Sequence, residues 1–147
     1  MRAVNPEARL VLDGEAISLG GLQGQPNRAF LLDAWLDELQ PDPTAWILTD
    51  LQTSDAIQLR MDWTRVRHHA PDATWQPKDA SLVMTFGPQP NTDAAARFAG
   101  VTATVHNELY DGIPLFAKWL EVHNGSRRSL EVDRVTVEEL SIVEGTN

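Results

Sequence analysis

The side chains with which this 147-residue chain could do acid–base or metal chemistry are four histidines and twenty-one carboxylates. His68-His69 is the one adjacent histidine pair. Two rings bind one metal from i, i+4 on a helix or i, i+2 on a strand, whereas adjacent strand residues point to opposite faces. The pair therefore reads as a solvated rim, not a metal site. His106 and His123 fall on neighbouring expected strands, but no third ligand accompanies them. Hydrolysis of a glycosidic bond needs two facing carboxylates, about 5–5.5 Å apart in retaining enzymes. Asp33 and Asp37 have the right helical spacing, which an exposed helix face also explains. Glu138 and Glu139 alternate across a strand and cannot converge. His106 and Glu108 share a strand face and could form an acid–base pair, but alternating polar positions on an exposed face give the same pattern. No serine lies in a Gly-x-Ser-x-Gly turn, and no glycine-rich phosphate loop precedes a helix. Without cysteine, thiolate nucleophiles, thiolate metal sites and disulfides are excluded. The expectation is a chain with no catalytic residue, metal or cofactor of its own.

Binding is the remaining chemistry, and the five tryptophans offer it. Indole faces stack on the CH-rich faces of pyranose rings. Trp35 belongs to a helical stripe, Trp119 to a two-sided apolar strand and Trp46 to another apolar run, so all three are expected in the core. Trp63 and Trp75 bracket Arg67, His68 and His69 in a turn-rich region. Those five residues are the candidate carbohydrate-binding set; packing beneath a long loop gives the same pattern.

The elements that must carry these residues are mostly strands. Val101–Tyr110, Ile113–His123 and Leu130–Val143 read as three consecutive antiparallel strands joined at Asp111-Gly112 and Asn124-Gly125, the dipeptides that favour type I′ hairpin turns. The middle strand is apolar on both faces (Ile113, Leu115, Ala117 and Trp119; Phe116, Leu120 and Val122), which places it inside a sheet covered on both sides. In the last strand the apolar parity switches near Asp133-Arg134 and again near Glu138-Glu139, the signature of β-bulges in a bending sheet. A shorter hairpin is expected around Asp13-Gly14, ending at Gly20-Gly21. Ala45–Thr49, Ala56–Met61 and Leu82–Phe86 are further strand candidates, and Gly87–Gly100 reads as a surface loop. Leu32, Trp35, Leu36 and Leu39 recur at i, i+3, i+4 and i+7, giving one short helix near residues 30–39 that stops at Pro41-Asp42-Pro43. The fold class is all-β: an antiparallel two-sheet sandwich with one short helix.

Length and composition bound the rest. One domain is the default at this length, and the apolar and charged fractions, 42% and 22%, are those of a globular chain. A net charge of −9 opposes binding to nucleic acid, which needs basic clusters to displace phosphate counterions. No segment approaches the about 20 apolar residues that span a bilayer, and the amino terminus lacks the apolar core of a signal peptide. A soluble chain with no membrane partner is the expectation, its compartment unspecified.

One segment adds a sharper expectation. Val105-His106-Asn107-Glu108-Leu109-Tyr110-Asp111-Gly112-Ile113-Pro114-Leu115-Phe116-Ala117-Lys118-Trp119-Leu120, followed by Val122, Asn124 and the run to Glu144, resembles the amino-terminal β-sandwich of α-galactosidase-like glycoside hydrolases of the family 36 type. Trp63-x-Arg65-x-Arg67-His68-His69 and Trp75-x-Pro77-Lys78 are similar to that type of sequence too. The resemblance implies a galactose-mutarotase-like supersandwich, supporting an active-site mouth or oligomer contacts, followed in the parent protein by a (β/α)₈ barrel that carries two catalytic aspartates. None of those catalytic residues falls in this chain, which is expected to be one accessory sandwich domain, a fragment of a larger carbohydrate-active protein. A free-standing carbohydrate-binding module and a ligand-free structural or homo-oligomerising domain are the alternatives. Sugar epimerisation by His106 or His123 with Glu108 is disfavoured, because an exposed polar face explains that set.

Overall fold

The computed structural model describes residues 6–23, 40–55 and 79–138. The helix expected near 30–39, the strand candidate Ala56–Met61 and all five candidate binding residues (Trp63, Arg67, His68, His69 and Trp75) lie outside them. The described chain is mostly strand, arranged as two antiparallel sheets of three and four strands with one short helix and no closed barrel.

Strands β1 (Ala8–Leu12) and β2 (Glu15–Leu19) form the first hairpin. Asp13 and Gly14 both have positive φ, 48° and 74°, as a type I′ turn requires. Two-residue strands β3 (Leu22–Gln23) and β4 (Gln40–Pro41) pair beside it. Strand β5 (Ile47–Ser54) pairs with β6 (Asp79–Gly87), β6 with β7 (Val101–Tyr110), and β7 with β8 (Ile113–Asn124), in the order β5-β6-β7-β8. Strand β9 (Val132–Thr136) completes the other sheet, β2-β1-β9.

Two expectations about the carboxy-terminal ribbons are thereby corrected. Strand β9 does not follow β8 in a meander; it crosses to the smaller sheet and pairs with β1. Neither Asn124 nor Gly125 has the positive φ of a hairpin turn. Asn124 Oδ1 instead accepts from the Ser126 N–H at 3.0 Å and the Ser126 hydroxyl at 2.6 Å, and its amide donates to the Arg128 carbonyl at 2.9 Å, shaping a crossing loop. Gly125 N–H donates to the Gly100 carbonyl at 2.8 Å, so close that a Cβ on Gly125 would stand 2.9 Å from that oxygen. Nor is β8 interior: among the described residues it pairs on one side only, and Leu115 and Phe116 are exposed. At the other end of the crossing the bulge expected near Asp133-Arg134 is present. Arg134 opposes Val11 and Val132 opposes Leu12, leaving Asp133 as the extra residue. Its carboxylate accepts the Gly14 N–H at 2.9 Å.

The core lies between the sheets. Leu10, Leu12, Ile17 and Leu19 from the smaller sheet meet Phe86, Val101, Ala103 and Val105 from the larger. Trp46 is buried, as expected, and ties the sheets at the backbone: its N–H donates to the Ser18 carbonyl and its carbonyl accepts from Gly20, both at 2.9 Å. Gly87–Gly100 is not simply a surface loop. It holds helix α1 (Asp93–Arg97), whose first turn is capped by the Thr92 hydroxyl accepting from Ala95 N–H at 3.2 Å. The helix delivers Phe98, fully buried, edge-on to Trp46 with ring centres 5.7 Å apart. Arg97 and Arg128 stand over the Phe98 ring at 5.3 and 5.9 Å.

Candidate functional site

The larger sheet has two faces of opposite character, set by the alternation in β7. Val101, Ala103 and Val105 point to the smaller sheet and are core. Thr102, Thr104, His106, Glu108 and Tyr110 take the other parity, and strand geometry turns them to the outer face. Residues directly opposite one another across an antiparallel pair share a face, so the register assigns their neighbours. Ser81 on β6 and Ala117 on β8 oppose Glu108; Val83 and Trp119 oppose His106; Thr85 and Glu121 oppose Thr104. The Thr85 and Thr104 hydroxyls lie 3.3 Å apart, as that assignment requires.

Part of this outer face is not solvated. Glu108 is 0% exposed, Ser81 3% and His106 8%. The premise on which the His106–Glu108 pair was set aside, an exposed polar face, is therefore wrong for these two residues. Glu108 Oε2 accepts from the Tyr110 hydroxyl at 2.6 Å. Glu108 Oε1, the Ser81 hydroxyl and both His106 ring nitrogens are buried with no hydrogen-bond partner among the described residues. Leaving a buried polar group unsatisfied costs about 1–3 kcal/mol, more if it is charged. Four such atoms on one face call for an explanation that folding alone does not supply.

Around this row the walls differ. The Trp119 indole stacks on the His106 imidazole, ring centres 4.5 Å apart and 4° from parallel. Trp119 is thus corrected from core to outer face, where it is half-buried. Beyond it, Glu121 Oε1 lies 3.7 Å from His106 Nε2, and its side chain is largely exposed. His123 shares the face but opposes Thr102, two pairs beyond Trp119, so the two histidines stand about 13 Å apart along the sheet. They do not form a joint site. Of the other carboxylates considered, Glu138 accepts from Lys118 Nζ at 2.7 Å, with Glu7 on the same ammonium at 2.8 Å. Glu139, Asp33 and Asp37 lie outside the described residues.

Sequence reasoning passed over Ser81 and gave Tyr110 no role. The available signal was the pairing, since Ser81 joins Glu108 only once the register of β6 on β7 is known. Among the described residues no group of three or more His, Cys, Asp or Glu side chains could hold a metal ion, and no helix is long and apolar enough to cross a membrane. No family model, curated protein or solved structure matches the chain.

Proposed function

We propose that this chain is the non-catalytic accessory β-sandwich of a carbohydrate-active enzyme of the α-galactosidase-like type, supporting the active-site mouth or an oligomer contact beside a catalytic barrel in the parent protein. The observation that carries the reading is the outer face of the larger sheet. A sheet whose one face is core and whose other buries Ser81, His106 and Glu108 works on both sides. A purely structural sandwich gains nothing from unsatisfied polar atoms there. The sequence resemblance from Val105 to Leu120 falls on β7 and β8, two of the strands that build this face.

The alternative, a free-standing carbohydrate-binding module, draws on the Trp119–His106 platform and on the Trp63, Arg67, His68, His69 and Trp75 set. Reading the gene beyond Asn147 and assaying its full product separates the two. The accessory reading expects strand–helix alternation with paired aspartates downstream, and hydrolysis of p-nitrophenyl α-galactoside by the full product but not by the 147-residue chain. A full product with no such barrel, or hydrolysis by the short chain alone, refutes it.

A further inference from the structure

We propose that Asn124-Gly125 is a site of spontaneous chemical modification that the fold holds back, and that its conversion unlatches the loop carrying the chain from β8 to β9. This is the one Asn-Gly dipeptide in the sequence. Glycine has no Cβ to shield its backbone nitrogen, so the preceding carboxamide reaches that nitrogen more readily than it would before a bulkier residue. The Gly125 nitrogen gives its proton to solvent base and bonds to Asn124 Cγ. The Cγ–Nδ2 bond breaks, and the released nitrogen takes a proton from solvent and leaves as ammonia. Water then opens the resulting succinimide at Cγ, giving aspartate, or at the backbone carbonyl, giving isoaspartate with a main chain longer by one methylene. Each step needs only water.

In the folded chain both reacting nitrogens are occupied. Gly125 N–H donates to the Gly100 carbonyl at 2.8 Å. Asn124 Oδ1 accepts from the Ser126 N–H at 3.0 Å and its hydroxyl at 2.6 Å, which leaves Nδ2 to donate to the Arg128 carbonyl at 2.9 Å. A backbone N–H only donates and a carbonyl only accepts, so the carboxamide has one orientation that fits. Cyclisation takes the proton from the first nitrogen and expels the second; the reaction cannot proceed without losing both bonds. Arg128, whose carbonyl holds Asn124, is pinned in turn: its guanidinium pairs with the Asp13 carboxylate at 3.3 Å and donates to the Arg97 carbonyl, over the Phe98 ring. Neither product restores the latch. The aspartate carboxylate faces the Arg128 carbonyl with no proton to donate. The isoaspartate methylene lengthens the chain immediately before Gly125, where even a Cβ would stand 2.9 Å from the Gly100 oxygen.

The test incubates the full 147-residue chain in mildly alkaline buffer, folded and in denaturing urea, and measures aspartate and isoaspartate in place of Asn124 by peptide mapping. Conversion is expected to be about tenfold or more slower in the folded chain, because two hydrogen bonds must open first. Arg128→Ala removes a half-exposed side chain and frees the loop without touching the reacting atoms. It is expected to speed conversion of the folded chain and leave that of the unfolded chain unchanged. Asn124→Asp, which reproduces the aspartate product, is expected to lower the melting transition and speed amide exchange at Gly125 and along β9. Equal rates in the folded and unfolded chain, or a difference that Arg128→Ala leaves unchanged, overturn the protection. Native melting and exchange in Asn124→Asp overturn the latch, and no conversion in urea overturns the site itself.

Discussion

Replacing Ser81 by alanine is expected to stabilise the protein, against the usual direction of a buried substitution. The Ser81 side chain is 3% exposed and its hydroxyl makes no hydrogen bond among the described residues. Folding strips that hydroxyl of water and returns nothing, a cost of about 1–3 kcal/mol. Alanine keeps the Cβ, so packing against the opposed Glu108 is preserved and only one oxygen-sized volume is lost. That void forfeits a few dispersion contacts, each about 0.1–0.2 kcal/mol. The net expectation is a gain of about 0.5–2 kcal/mol, raising the melting temperature by about 2–8 °C. Urea titration with a two-state fit measures it, and an unchanged m-value shows that the denatured state is not the source. A loss of about 0.5 kcal/mol or more, outside the range of substitutions that touch nothing, would mean the hydroxyl is satisfied. It would refute the assignment of the Ser81 hydroxyl as unpaired.

Three further outcomes follow from the core and the crossing loop. Phe98→Ala should cost about 3–5 kcal/mol, because it empties a fully buried position beside Trp46 and strips the two arginines of their aromatic surface; thermal and urea denaturation read it. Gly125→Ala should cost about 1–3 kcal/mol, since the new Cβ at 2.9 Å from the Gly100 carbonyl forces the crossing loop outward, and faster exchange of the Gly125 amide would report the move. Asp42 sits below its ordinary value of 3.8, first because the Thr44 hydroxyl donates to it and then because the Thr44 amide does. Between its folded and unfolded values the unfolded chain binds more protons, so the stability Asp42 contributes is complete above about pH 5 and fades as pH falls through its folded value. Asp42→Asn should flatten that acid limb, and an unchanged limb would show that other carboxylates govern it.

How legible these features were in the sequence depended on the range of the interactions behind them. The first hairpin was readable because Asp13-Gly14 fixes its turn locally. The bulge at Asp133 was readable because a parity switch leaves a mark within four residues. Helix α1 was missed although its signal was present: Thr92 as cap, Asp93 in the first turn, three alanines and Arg97 at the end. Proline and asparagine just before it drew the segment into a loop reading. The partner of β9 was illegible, because Asn124-Gly125 favours a hairpin locally while β1, more than a hundred residues earlier, offers the better pairing edge. The outer-face site was half legible. Its β7 members alternate visibly, but which face they take, and that the face is buried, depends on Val101, Ala103 and Val105 choosing the smaller sheet.

That choice also explains where apolar surface is left over. Three strands cannot cover four, and the uncovered positions fall at the margins of the larger sheet: Leu48 and Leu51 on β5, Phe116 on β8 and Leu109 at the end of β7. By register each belongs to the core-side face, opposing or flanking Phe86, Met84 and one another. The middle of that face is sealed by the smaller sheet. The middle of the opposite face is closed over Ser81, His106 and Glu108 although those residues are polar. Burial on that opposite face is local: Val83, Thr85 and Thr104 beside the row are half-buried, and the closed side chains are those of Ser81, His106 and Glu108. A sheet selected only for stability would put apolar residues at its closed positions on both faces. Here the closed positions of one face hold a carboxylate, an imidazole and a hydroxyl, at a cost of about 1–3 kcal/mol for each unsatisfied group. Apolar side chains at those positions would fold without that cost, which is why Ser81→Ala is expected to stabilise the sheet.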